Sequence, residues 1–89
     1  MESRMIIVIG RVQGVGFRFA VKRIADEYGV TGYAKNVQDY VEILATGSEN
    51  NLDAFTDRVL QGASPSSKVE DYSIKQLPLD ESYKQFETK

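Results

Sequence analysis

The sequence predicts an α+β sandwich with the element order β-α-β-β-α-β, two helices lying on one face of an antiparallel sheet. Three observations carry that expectation. A β-branched run opens the chain at Arg4 to Gly10, two later stretches repeat their apolar residues at helical spacing, and a pair of strand-like runs sits between them. With 89 residues there is material for one domain, 1–89, and one core.

Arg4 to Gly10 (RMIIVIG) is almost continuously apolar, as suits a central strand with both faces occupied. Phe17, Ala20, Val21, Ile24, Ala25 and Tyr28 then form one stripe of a helix that Gly29 stops. Thr31 to Val37 and Tyr40 to Thr46 read as a hairpin turning at Gln38 and Asp39, with Val41, Ile43 and Ala45 alternating against Tyr40, Glu42 and Leu44. Ser48 is the expected N-cap of a second helix that carries Leu52, Phe55, Val59 and Leu60 on one face, with Gly62 just past its end. A Ser-rich loop with Pro65 follows. Val69 to Leu77 is a less regular strand, interrupted by Asp71 and Ser73, and Tyr83 to Glu87 is a candidate short fifth strand at a sheet edge after a turn at Pro78 to Ser82. This order is that of the ferredoxin-like fold, and it leaves the sheet face away from the helices partly solvated.

Apolar residues make up 42% of the chain and charged residues 27%, a balance that builds a core rather than a disordered segment. With 11 Lys plus Arg against 13 Asp plus Glu, the net charge of −2 excludes a broad nucleic-acid surface, which needs clustered excess cation. Neither cysteine nor histidine is present. That removes disulfides, thiolate chemistry, the commonest metal ligand and the usual general base near neutral pH. The longest apolar run, Met5 to Ile9, falls far short of the roughly 18 residues a membrane span needs. The expectation is a cytoplasmic monomer with no cofactor or metal and no nucleic-acid or membrane partner.

Gly10-Arg-Val-Gln-Gly-Val-Gly-Phe-Arg18 joins the first strand directly to the first helix. Glycines at 14 and 16 permit backbone conformations that turn successive N–H groups toward one point, which makes a nest for an anion. The helix beginning near Phe17 adds its own unpaired N–H groups and a positive dipole end. Charge on that helix is inverted, with Arg18, Lys22 and Arg23 leading and Asp26 and Glu27 closing, whereas the second helix runs favourably from Glu49, Asp53 and Asp57 to Arg58. Each misplaced exposed charge costs about 0.3–1 kcal/mol, and an anion at Arg18 would offset it. The plainer alternative is that the glycines serve only a tight turn and Arg18 is solvated. No Lys-Ser/Thr follows the glycines as in a Walker A loop, and the third glycine and later acidic residue of a dinucleotide site are missing.

The string from Gly10 to Arg18, the amphipathic helix after it, Gly29 and the segment Gly32-Tyr-Ala-Lys-Asn36 together resemble the acylphosphatase family, over essentially the whole chain. The resemblance implies hydrolysis of acyl phosphates to carboxylate and inorganic phosphate. It implies Arg18 and Asn36 as the catalytic residues, with Gln13, Gly14, Val15, Gly16 and Phe17 supplying backbone donors to the substrate phosphate. Two segments depart from the family pattern. The hairpin passes from Asp39 straight to Tyr40 without the usual glycine, which bears on how Asn36 is aimed, and Gly62-Ala-Ser-Pro65 stands where Gly-Pro-Pro is usual.

The residue types suit that chemistry. Phosphoryl transfer spreads charge over three equatorial oxygens, so a guanidinium fork and converging N–H groups can lower the barrier by positioning and electrostatics. Asn36 can orient water through its amide but cannot act as an efficient base. With no histidine, cysteine or adjoining carboxylate to protonate a poor leaving group, the substrate must bring a good one, and a mixed carboxylic–phosphoric anhydride does so. Water can pass its proton to the substrate's own phosphate, although Asp39 or Glu42 could also reach the site. Tyr33, Tyr40, Phe19 and the Phe55 stripe read as packing residues, Lys35 as solvated, and Asp80 and Glu81 as part of an exposed turn. The competing function is a phosphate-binding sensor without turnover, which would use the same loop. An RNA-recognition domain fits poorly, because its aromatic motif belongs on a central strand.

Overall fold

The computed structural model describes residues 1–89. Its elements are β1 (Glu2–Arg11), α1 (Phe17–Tyr28), β2 (Thr31–Val37), β3 (Tyr40–Gly47), α2 (Glu49–Leu60), β4 (Lys68–Leu77) and β5 (Phe86–Thr88). All five strands form one sheet in the order β4-β1-β3-β2-β5. β1 pairs antiparallel with β3 and β4, and β2 pairs antiparallel with β3. The fifth strand is present and joins β2 in parallel, so the sheet is mixed at that edge.

Strand alternation decides which side chains meet the helices. Ile6 and Val8 of β1, Val41, Ile43 and Ala45 of β3 and Ala34 of β2 are fully buried. They share one core with Phe17, Val21, Ile24 and Ala25 of α1 and Leu52, Phe55 and Val59 of α2. Phe86 opens β5 and packs against Phe55 with ring centroids 6.0 Å apart. Full burial of such a ring stabilises by about 1.5–3 kcal/mol, which accounts for so short a strand holding its place.

The other face is covered more than the alternation predicts, because the segment from Pro78 to Gln85 crosses it from β4 at one edge to β5 at the other. Asp80 N donates to Ser3 Oγ at 2.8 Å, and Thr46 Oγ1 donates to Asp80 O at 2.9 Å. Ser3 Oγ and Thr46 Oγ1 are 2.7 Å apart, so Ser3 donates to the hydroxyl whose own proton is already used. Both side chains are buried beneath this strap. Asp80 and Glu81 therefore lie on a tethered crossing rather than a free turn. Tyr83 tilts onto Tyr33 with centroids 5.6 Å apart. β5 begins at Phe86 rather than at Tyr83. Farther along β1 the strap ends, and Ile9 is exposed.

Candidate functional site

The loop between β1 and α1 alternates buried anchors with exposed glycines. Val12 and Phe17 are buried, and Val15 packs against the core from a half-buried position. Gly14 and Gly16 stand exposed between these anchors, with φ of 73° and 74°. Those left-handed angles are ones glycine adopts without steric cost, and they let the loop turn back on itself within so few residues.

α1 begins without a side-chain cap: its N-cap is Gly16, and no side chain accepts from its first N–H groups. α2 is the contrast, since Ser48 Oγ accepts from Asn51 N at 3.2 Å. The first turn of α1 thus keeps free donors and a positive dipole end beside the two glycines. A cleft of about 200 Å³ opens there, lined by Gly14, Gly16, Arg18, Phe19 and Thr88, with Val12 and Phe17 beneath.

Arg18 reaches across this cleft. Its Nη1 donates to the Lys89 backbone oxygen at 2.5 Å, and Lys89 N donates to Ala34 O at 2.8 Å. The guanidinium is thereby tethered to β2, and the rest of its fork stays available. Asn36 is the next residue after Ala34 on the same face of that strand. It pairs with Val41, whose side chain is in the core, so Asn36 projects on the helix-bearing side of the sheet, exposed. It does not line the cleft itself.

The shortened hairpin keeps Asn36 in register. Val37 pairs with Tyr40 around the two-residue turn, and Gln38 takes a φ of 54°, the positive value such a turn needs. Gln13 braces the turn from the loop: its Nε2 donates to Gln38 O at 2.9 Å and to Tyr40 O at 3.0 Å.

The inverted charge of α1 has a partly local explanation. Lys22 Nζ is 2.9 Å from Asp26 Oδ2, and Arg58 Nη1 is 2.6 Å from Glu27 Oε2. Those pairs offset the cost of both helix-end carboxylates, and of the leading cations left without a carboxylate partner, Arg18 and Arg23, only Arg18 lines the cleft and retains its weight as a sign of a ligand. Two further expectations change. Phe19 is not a packing residue: it stands off the apolar stripe and is 65% exposed at the cleft. Glu42 points to the opposite sheet face and accepts from Tyr33 Oη at 2.5 Å, away from Arg18. Burial first, and then that hydrogen bond to Glu42, push the Tyr33 phenol above its ordinary range.

Two contributors escaped the sequence reading. Thr88 enters the cleft because β5 runs beside β2, a parallel pairing that no local pattern announces. Ser64, in the segment that departs from the usual Gly-Pro-Pro, is buried and its Oγ donates to Val15 O at 2.9 Å. The clustered serines after α2 were the one visible hint. No three acidic side chains come together in a way that could hold a metal ion, and no helix is long and apolar enough to cross a membrane.

Comparison with known proteins gives a consistent picture. The family model described as acylphosphatase matches residues 4–88. An acylphosphatase of Staphylococcus haemolyticus is 40% identical over 88 residues, covering 99% of each chain. One from Staphylococcus aureus strain Newman is 44% identical over 79 residues, 89% of each. The crystal structure of acylphosphatase from Bacillus subtilis superposes with a TM-score of 0.93 at 46% identity, covering 99% of this chain and 98% of that one.

Proposed function

Because this chain belongs to the acylphosphatase family, and is therefore an enzyme that hydrolyses acyl phosphates, we propose that the cleft at the N-terminus of α1 is where it does so. Backbone N–H groups of Gln13, Gly14, Val15, Gly16 and Phe17 hold the phosphate, and Arg18 meets its oxygens with the free part of its fork. The single observation that carries this reading is the uncapped start of α1 facing a guanidinium across one cleft.

Catalysis then follows from where charge develops. The equatorial oxygens gain charge as the acyl oxygen departs, and fixed donors stabilise them without having to reorganise. Asn36, on the strand to which Arg18 is tethered, orients the attacking water through its amide. The leaving carboxylate needs no proton, and the proton of the water goes to the phosphate itself. Glu42 takes no part, being bonded to Tyr33 on the other face. Exposed Phe19 offers the acyl group an apolar surface as it leaves the cradle.

The test is hydrolysis of acetyl phosphate by the purified chain in isotopically labelled water, with a metal chelator present. Attack on phosphorus puts the label in inorganic phosphate. Label in the acetate would overturn direct attack on phosphorus, and phosphate binding with no turnover would restore the sensor reading.

A further inference from the structure

We propose that Ser64, on the loop after α2, is a positioning residue that aims the Gly16 N–H into the phosphate cradle. The inference rests on the reading of the α1 cleft as the phosphate site.

In a trans peptide the C=O and N–H point in opposite directions, and this chain has no cis bond. Fixing the Val15 carbonyl therefore fixes the direction of the Gly16 N–H. Ser64 Oγ does so at 2.9 Å from Val15 O. Ser64 is buried, on the protein side of the loop, while Gly16 lines the open cleft, so the N–H opposite that carbonyl is directed away from Ser64 and toward the anion position. The anchor matters at this peptide more than elsewhere. Glycine accepts either sign of φ at little cost, so the plane preceding Gly16 can rotate unless something holds it.

Ser64 is itself held. Ser67 Oγ accepts from Ser64 N at 3.1 Å and donates to Ser64 O at 2.7 Å, which locks the backbone that presents the hydroxyl. The loop after α2 is thus a rigid bracket beneath the cradle, doing from below what Gln13 does at the hairpin side. A loop that existed only to connect α2 to β4 would have no need to meet the Val15 carbonyl, whose peptide carries the Gly16 N–H.

The experiment titrates inorganic phosphate into wild type, Ser64→Ala, Ser64→Thr and Ser67→Ala, following the Gly16 amide proton by NMR and the inhibition constant of phosphate against acetyl phosphate. In wild type the Gly16 resonance is expected to shift downfield on saturation. Ser64→Ala is expected to weaken phosphate by about three- to tenfold and to shrink that shift, because one charge-assisted hydrogen bond loses its alignment. Ser64→Thr keeps the hydroxyl and restores both, and Ser67→Ala gives an intermediate loss. An unchanged Gly16 shift and inhibition constant in Ser64→Ala, with only a lowered melting temperature, would overturn the inference and leave the phosphate site standing. Should Ser64→Ala fail to fold, unchanged values in Ser67→Ala overturn it equally. If phosphate leaves the Gly16 resonance of wild type unmoved, the reading of the site falls, and this inference with it.

Discussion

Gln13 Nε2 lies 2.9 Å from the carbonyl oxygen of Gln38, so the side chain of an anion-loop residue is bonded to the turn of the hairpin that carries Asn36. Its second bond, to Tyr40 O, straddles that turn. The loop and the hairpin are far apart in sequence, and this amide ties the loop to the hairpin that carries Asn36, the residue proposed to orient water. Gln13→Glu replaces the donor with a carboxylate facing two carbonyls, and kcat/KM for acetyl phosphate is expected to fall by about 10- to 100-fold. Gln13→Ala should fall by less, because water can replace the lost donor. Steady-state kinetics on the two variants checks the order.

Gly14 and Gly32 are expected to respond to alanine to different extents and for different reasons. A Cβ on Gly14 meets nothing within 4 Å, so its stability cost is the left-handed backbone alone, about 1–2 kcal/mol. That Cβ would nonetheless enter the cleft and weaken phosphate binding. On Gly32, at φ 134°, a Cβ would be driven into the Leu44 carbonyl of the neighbouring strand. Gly32→Ala should lose about 3–5 kcal/mol, read by urea unfolding.

Alkaline stability should depend on Tyr33. Its phenol stays neutral to higher pH in the folded chain than in the unfolded one, where a tyrosine ionises near pH 10. The contribution is full below that value and is lost as pH rises toward the folded one. Melting temperature measured from pH 8 to pH 11 should fall for wild type above about pH 10. The fall should be shallower in Tyr33→Phe.

The pH dependence of turnover should look different. With no histidine in the chain, kcat/KM should lack a limb from a histidine base near neutrality. Glu42→Gln is expected to stay within about twofold of wild type, since Glu42 is bonded to Tyr33 on the far face of the sheet. A profile recorded with both enzymes decides this.

Most of the fold was legible because its elements carry local signals. The stripe from Phe17 to Tyr28, the Ser48 cap and the alternation of β3 each depend on residues close in sequence. What stayed hidden depends on partners far away. The strap from Pro78 to Gln85 looks like a polar turn until Ser3 and Thr46 are seen beneath it. The site divides in the same way. The glycines and Arg18 announce an anion within one stretch of sequence, whereas Ser64 and Thr88 join it only through tertiary packing. Phe19 was misjudged because aromatic residues are usually buried, although its place off the helical stripe already set it outside the core.

Arg18 is proposed to bind and stabilise the transferring phosphate, and kcat/KM for acetyl phosphate in Arg18→Ala is the most direct test of that role. The fork is the one side-chain cation lining the cleft, and removing it should lower kcat/KM by about a thousandfold or more while the melting temperature changes little. Undiminished hydrolysis by folded Arg18→Ala would contradict the account.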